Sequence, residues 1–103
     1  MSDSALPNRR LTRLEVLNVL REHFEFPGSF PFTVIARSGS DFYAVLHATL
    51  EELQQNAPFT IRERPSSKQN YSAYRIEIYV ESASVALHRK EVIASIDGVL
   101  MML

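Results

Sequence analysis

Residues 71–80 read YSAYRIEIYV, and their polarity alternates with a period of two. Tyr74, Ile76, Ile78 and Val80 fall on one side of an extended chain, with Ala73, Arg75, Glu77 and Tyr79 on the other. Such a segment is a strand with one buried face, which belongs in an antiparallel sheet covered on one side only. FPFTVIAR at 30–37 alternates in the same way: Phe30, Phe32, Val34 and Ala36 share one face, and Pro31, Thr33, Ile35 and Arg37 share the other. Pro31 suits a strand end or a sheet edge, because it offers no N–H to a neighbour.

The segments between these strands set the rest of the order. Residues 41–56 carry Phe42, Val45, Leu46, Thr49 and Leu53 at helical spacing, with Ser40 as an N-cap and Asn56-Ala57-Pro58 as a stop. FTIRER at 59–64 is a short strand with Phe59 and Ile61 inward, and PSSKQN at 65–70 is a loop. A helix capped by Ser82 or Ser84 runs to about Ile96, burying Val85, Val92 and Ile96. Asp97-Gly98 turns the chain into a last strand, VLMML at 99–103. The order β-α-β-β-α-β with right-handed crossovers predicts an α+β, ferredoxin-like sandwich: a four-stranded antiparallel sheet with two helices on one face. Ahead of it, residues 1–8 read as a disordered leader, and residues 9–23 as an amphipathic helix striped by Leu11, Leu14, Leu17 and Leu20, widened by Val16 and Val19. The expected division is therefore an N-terminal segment over 1–23 and one domain over 24–103.

Composition excludes several function classes. The chain has 103 residues, no Cys, and 11 Lys+Arg against 12 Asp+Glu, for a net charge of -1. There is no disulfide framework, thiolate metal site or Cys nucleophile, in keeping with a cytoplasmic protein. No apolar run approaches the roughly 18 residues of a membrane span. The near-zero charge argues against a general nucleic-acid binder. His23, His47 and His88 lack metal-ligand spacing, and Glu51-Glu52 are adjacent helix positions that point apart. The only glycines are Gly28, Gly39 and Gly98, so no phosphate-cradling loop exists. These absences lead us to expect no catalytic residue, no metal and no cofactor.

Two regions stand out as candidate sites. The first is the sheet face left open by the helices, where alternation places Thr33, Ile35, Arg37, Thr60, Arg62, Arg64, Arg75, Glu77 and Tyr79, with Leu100 and Met102 from the last strand. Its apolar members call for cover, from the leucine-striped leading helix or from a second copy in a homodimer. Arg37, Arg62, Arg64, Arg75 and Tyr79 are its binding candidates. A bland alternative pairs the arginines with Glu63 and Glu77 across strands. RNA binding is the alternative function, but Tyr79 is the only aromatic the alternation puts there, and the RNA-binding signature of such sheets is absent. The second region is the loop at Ser66, Ser67, Lys68, Asn70 and Tyr71. It either cradles a small anion or carboxylate, or is a hairpin turn whose side chains satisfy their own backbone.

FEFPGSFPFTVIAR at 24–37, RPSSKQNYSAYRIEIYV at 64–80 and IDGVLMML at 96–103 together resemble the YbeD-like family. These are small bacterial domains of unknown function, sometimes labelled lipoate-regulatory. The motifs are FP-x-x-FPF, RPSSK-x-NY and a terminal VLM-x-L, spread over about 80 residues from Phe24 onward. The family pattern has Gly where Gln69 stands and Ser where Ala73 stands, so what it implies for the loop attaches to Pro65, Ser66, Ser67, Lys68, Asn70 and Tyr71. The resemblance implies an ACT-like fold and a non-catalytic regulatory or adaptor role, sensing a small metabolite or binding a protein partner.

Overall fold

The computed structural model of the chain describes residues 10–39, 41–68 and 70–103. The leader over 1–8, the Ser40 cap and the Gln69 turn position lie outside the described residues. The elements run α1 (Arg13–His23), β1 (Gly28–Arg37), α2 (Phe42–Gln54), β2 (Phe59–Pro65), β3 (Tyr71–Val80), α3 (Ala83–Ala94) and β4 (Val99–Met102). The sheet is four-stranded with order β2-β3-β1-β4, and β1–β3, β1–β4 and β2–β3 all pair antiparallel. This is the ferredoxin-like arrangement expected from the β-α-β-β-α-β order.

Alternation in β1 and β3 becomes burial on the helix side. Phe30, Phe32, Val34 and Ala36 are buried against Tyr74, Ile76, Ile78 and Val80 of β3. Leu46 and Leu50 of α2 and Ala86 and Ile93 of α3 close that layer. Truncating a fully buried Leu or Ile of this kind costs about 2–5 kcal/mol. Pro31 lies near the start of β1, a central strand whose β4 neighbour does not extend that far. Thr33 exchanges backbone hydrogen bonds with Leu103, at 2.8 and 3.1 Å, and β4 pairs with β1 no further toward its start. Position 31 therefore faces away from any ladder that needs its N–H.

Several boundaries and stripes differ from the sequence reading. The first helix starts at Arg13 rather than Arg9, because Thr12 forms a capping box. Its side chain accepts from Glu15 N at 3.2 Å, and Glu15 Oε1 accepts from Thr12 N at 2.8 Å. The buried stripe of α2 is Phe42, Leu46, Leu50 and Gln54, whereas Val45 is 46% exposed. In α3 the buried residues are Ala83, Ala86 and Ile93, so Val92 is displaced from the core stripe.

The leading helix does not fold over the open sheet face. It packs on α3, in the helix layer, and Leu20 and Phe24 reach the core from there. Arg13 and Glu91 form an ion pair between the two helices, half exposed on both sides and hence worth little. Leu11 and Leu14 stay exposed, because one helix can bury only the side turned to its neighbour. No helix among the described residues is long and apolar enough to cross a membrane.

Candidate functional site

The strand registers place the open-face side chains in rows across the sheet. Arg62 lies directly opposite Arg75, which lies opposite Thr33. In the next row Arg64 faces Ala73, which faces Ile35, which faces Met101. Thr60, Glu77 and Pro31 form the row on the other side. Opposite residues have Cβ atoms about 5 Å apart, and residues two along a strand are about 6.8 Å apart. Arg62, Arg64 and Arg75 are thus crowded together on β2 and β3. They line an open groove of about 840 Å³ with Thr33, Thr60 and Glu77. Arg37 and Tyr79 lie on the same face, at opposite ends of the β1–β3 ladder.

The arginines are not neutralised. Among the described residues, none of Arg37, Arg62, Arg64 or Arg75 has a carboxylate within ion-pair distance. The pairing expected with Glu63 is excluded by strand parity. Glu63 follows Phe59 and Ile61 on the helix side, where its Oε2 accepts from Ser72 Oγ at 3.2 Å and from the Tyr74 hydroxyl at 3.4 Å. Burial pushes the Tyr74 pKa up from its ordinary value, and the Glu63 carboxylate beside it acts in the same direction. Among the described residues Glu77 shares the face with the arginines by parity, and Glu63 also lines the groove without pairing with them. Like charges directly opposite in a sheet are destabilising, so the Arg62–Arg75 juxtaposition costs folding energy.

The last strand adds apolar surface by a route that alternation misses. The β1–β4 register shifts between Ile35 and Ala36, pairing Ile35 with Met101 and Ala36 with Val99. This bulge leaves Leu100 unpaired and turns Met102 to the core side, opposite Val34. The expectation that Met102 lies on the open face is therefore overturned, and Met101 takes its place. Met101 and Leu100 are about half exposed, at 53% and 49%.

The loop resolves as the end of the β2–β3 hairpin. Ser66 N donates to Tyr71 O at 2.9 Å, and Ser66 Oγ accepts from Tyr71 N at 3.4 Å. Asn70 O accepts from Ser38 N at 3.1 Å, tying the hairpin to the β1–α2 connection. Ser66 thus closes its own turn, while Ser67, Lys68 and Asn70 are exposed. Tyr71 pairs with Arg37 across β1 and β3, and so belongs to the open face. Sequence reasoning missed this, although 71 and 79 share parity on one strand. The two candidate regions therefore meet at Tyr71, and the face carries Tyr71 and Tyr79 at the two ends of β3.

Residues 21–103 match the family model described as a protein of unknown function, DUF493. The chain belongs to this family. YbeD-like proteins are DUF493 proteins, so the resemblance in the sequence motifs holds. Two solution structures of HP0495 from Helicobacter pylori share the fold of this DUF493 domain. One has a TM-score of 0.67 at 16% identity, covering 100% of this chain and 98% of that one. The other, of HP0495 as a hypothetical protein, has a TM-score of 0.56 at 16% identity, covering 76% and 87%. No curated protein matches the chain.

The first motif of the DUF493 domain is structural. Phe24 packs edge-on to Phe30 with centroids 5.0 Å apart, and Phe26 and Phe32 flank Phe30 at 6.4 and 5.9 Å. The aromatics of FEFPGSFPF close the core where α1 enters the sheet. A Cβ at Gly28 would stand 2.6 Å from Glu25 O, so that motif position admits only glycine. The histidines are dispersed: His47 lies between the rings of Tyr43 and Phe59, and His88 lies beside Arg89. No group of three His, Asp or Glu among the described residues converges to hold a metal.

Proposed function

We propose that this DUF493 domain is a non-catalytic regulatory or adaptor module that acts in the cytoplasm by holding a protein partner on its open sheet face. The carrying observation is Arg62 directly opposite Arg75, with Arg64 beside them, in a groove without a compensating carboxylate pair. Folding gains nothing from that arrangement, whereas an incoming anionic group would relieve it. The apolar strip of Ile35, Leu100 and Met101 beside the arginines supports a macromolecular surface. Sites for small metabolites enclose about 70–90% of their ligand, and this groove lies open along the sheet. The hairpin loop supports a supporting role, since Ser66 is spent on its own turn.

The test is affinity capture on the immobilised chain, followed by titration of the purified partner against wild type and Arg62→Glu/Arg75→Glu. The expected result is an affinity loss of at least about tenfold, equal to 1.4 kcal/mol, with unchanged thermal stability. Unaltered affinity moves the site off this face. In parallel, a thermal-shift panel of amino acids and lipoate-related carboxylates should be flat. A ligand at 100 times its dissociation constant would stabilise the fold by about 2.7 kcal/mol, and such a hit would replace partner binding with small-molecule sensing.

A further inference from the structure

We infer that the partner segment seated on the open face is an amphipathic α-helix with a stripe of carboxylates beside a stripe of aliphatic side chains. This rests on the face being the binding surface, and it adds the kind of partner.

The face is divided lengthwise. Arg62, Arg64 and Arg75 occupy β2 and β3, and Ile35, Leu100 and Met101 occupy β1 and β4. The strands carrying Arg64 and Met101 are three inter-strand steps apart, about 14 Å. A helix with its side chains is about 10–12 Å across, so one helix laid along the sheet touches both halves at once. Arg62 and Arg64 are two residues apart on one strand, about 6.8 Å. Carboxylates at i and i+4 of a helix are about 6 Å apart along its axis, so each meets its own guanidinium. The aliphatic stripe on the adjacent flank then covers Ile35 and Met101.

Other occupants fit less well. An extended peptide satisfies its backbone by joining a sheet edge, and on this face it would meet side chains only. A helix arrives with its backbone already paired. RNA needs aromatics on the central strands to stack neighbouring bases. Here β1 offers Pro31, Thr33 and Ile35, and Tyr71 and Tyr79 lie eight residues apart on β3, about 27 Å. A second copy has no acidic stripe to present from α1, whose flanks carry Arg13 and Arg21 as well as Glu15 and Glu22.

The probe is a panel of synthetic helical peptides of about five turns. They carry Leu at i, i+3, i+4 and i+7 and Glu at flanking i and i+4 positions. Two control sets replace Glu by Lys or interrupt the helix with a central Pro, and an oligouridine serves as nucleic acid. Binding to the full chain is read by fluorescence anisotropy and by amide shifts. The expected result is binding of the Glu helices alone, with shifts at Arg62, Arg75, Ile35 and Met101. Affinity should fall at least tenfold for Arg62→Glu/Arg64→Glu and for Ile35→Ser, and stay unchanged for Glu52→Gln, an exposed position of α2 in the helix layer. Equal binding of the Pro-interrupted peptides, preferential binding of oligouridine, or no binding of any Glu helix overturns the inference. In each of those cases the captured partner separates the two readings. If Arg62→Glu/Arg75→Glu still releases it, the face stands and the helix falls. If it does not, both fall.

Discussion

Replacing Gln54 by Met probes the one polar side chain of α2 that is buried in the core layer, at 5% exposure. The register places Pro58 opposite Tyr79 where β2 begins. Tyr79 N donates to Pro58 O at 3.0 Å, as in a ladder pair that exchanges two hydrogen bonds. Proline has no N–H to return. Gln54 Nε2 supplies the missing donor, 2.8 Å from Tyr79 O, and its Oε1 accepts from Arg89 Nε at 2.9 Å. Methionine keeps the volume of the side chain and removes these two bonds, together with the longer one from Nε2 to Pro58 O at 3.5 Å. The orphaned carbonyl costs about 1–3 kcal/mol, and the lost Arg89 bond, whose donor can rehydrate, about 1 kcal/mol, for a total of about 2–4 kcal/mol. Urea unfolding followed by circular dichroism reads this as a fall in midpoint of about 2 M at an m-value near 1.3 kcal/mol/M. The discriminating variant is Pro58→Ala, which restores the backbone donor. Its effect on unfolded-state entropy is common to both backgrounds and cancels in a double-mutant cycle. In the Gln54→Met background it should recover about 1–2 kcal/mol more than in wild type. Equal effects of Pro58→Ala in the two backgrounds would refute the donor-replacement argument.

Three further outcomes are expected. Met102→Asp should destabilise by more than about 2 kcal/mol because that side chain packs on the core, whereas Met101→Asp should change stability by less than about 0.5 kcal/mol; reversed values in thermal melts would mean that the bulge is absent. Arg62→Thr should stabilise the fold by about 0.2–1 kcal/mol at low salt by removing the Arg62–Arg75 repulsion, and the gain should shrink in 1 M salt. A salt-independent effect would assign it to β-propensity instead. Tyr74 holds its phenol proton more tightly folded than unfolded. Its contribution is therefore fully present below about pH 10 and is lost as pH rises through the higher folded value. Wild-type stability should decline above pH 10 more steeply than that of Tyr74→Phe, and parallel alkaline limbs would exclude Tyr74 as the source.

Local patterning carried the architecture. Period-two alternation in residues 30–37 and 71–80 needs no tertiary information, because successive side chains of any strand point to opposite sides. The element order then left few topologies, and the four arginines could be put on one face from parity alone. Tyr71 was equally legible by parity, and the Thr12–Glu15 capping box by its spacing. Other features depended on partners distant in sequence. Whether Met101 or Met102 faces inward was set by a register shift against β1, since one extra residue reverses every later side chain. Glu63 and Gln54 look like surface residues of a strand and a helix. The bonding of Glu63 to Tyr74 and Ser72, and the burial of Gln54 beside the proline that interrupts a ladder, follow from those distant partners. The placement of α1 on α3 rather than on the sheet followed from which apolar surface was nearest once Phe24 and Leu20 were anchored in the core. The sequence by itself determined which residues share a face. The tertiary structure decided which faces meet, because burial is a property of two surfaces and a sequence pattern describes only one of them.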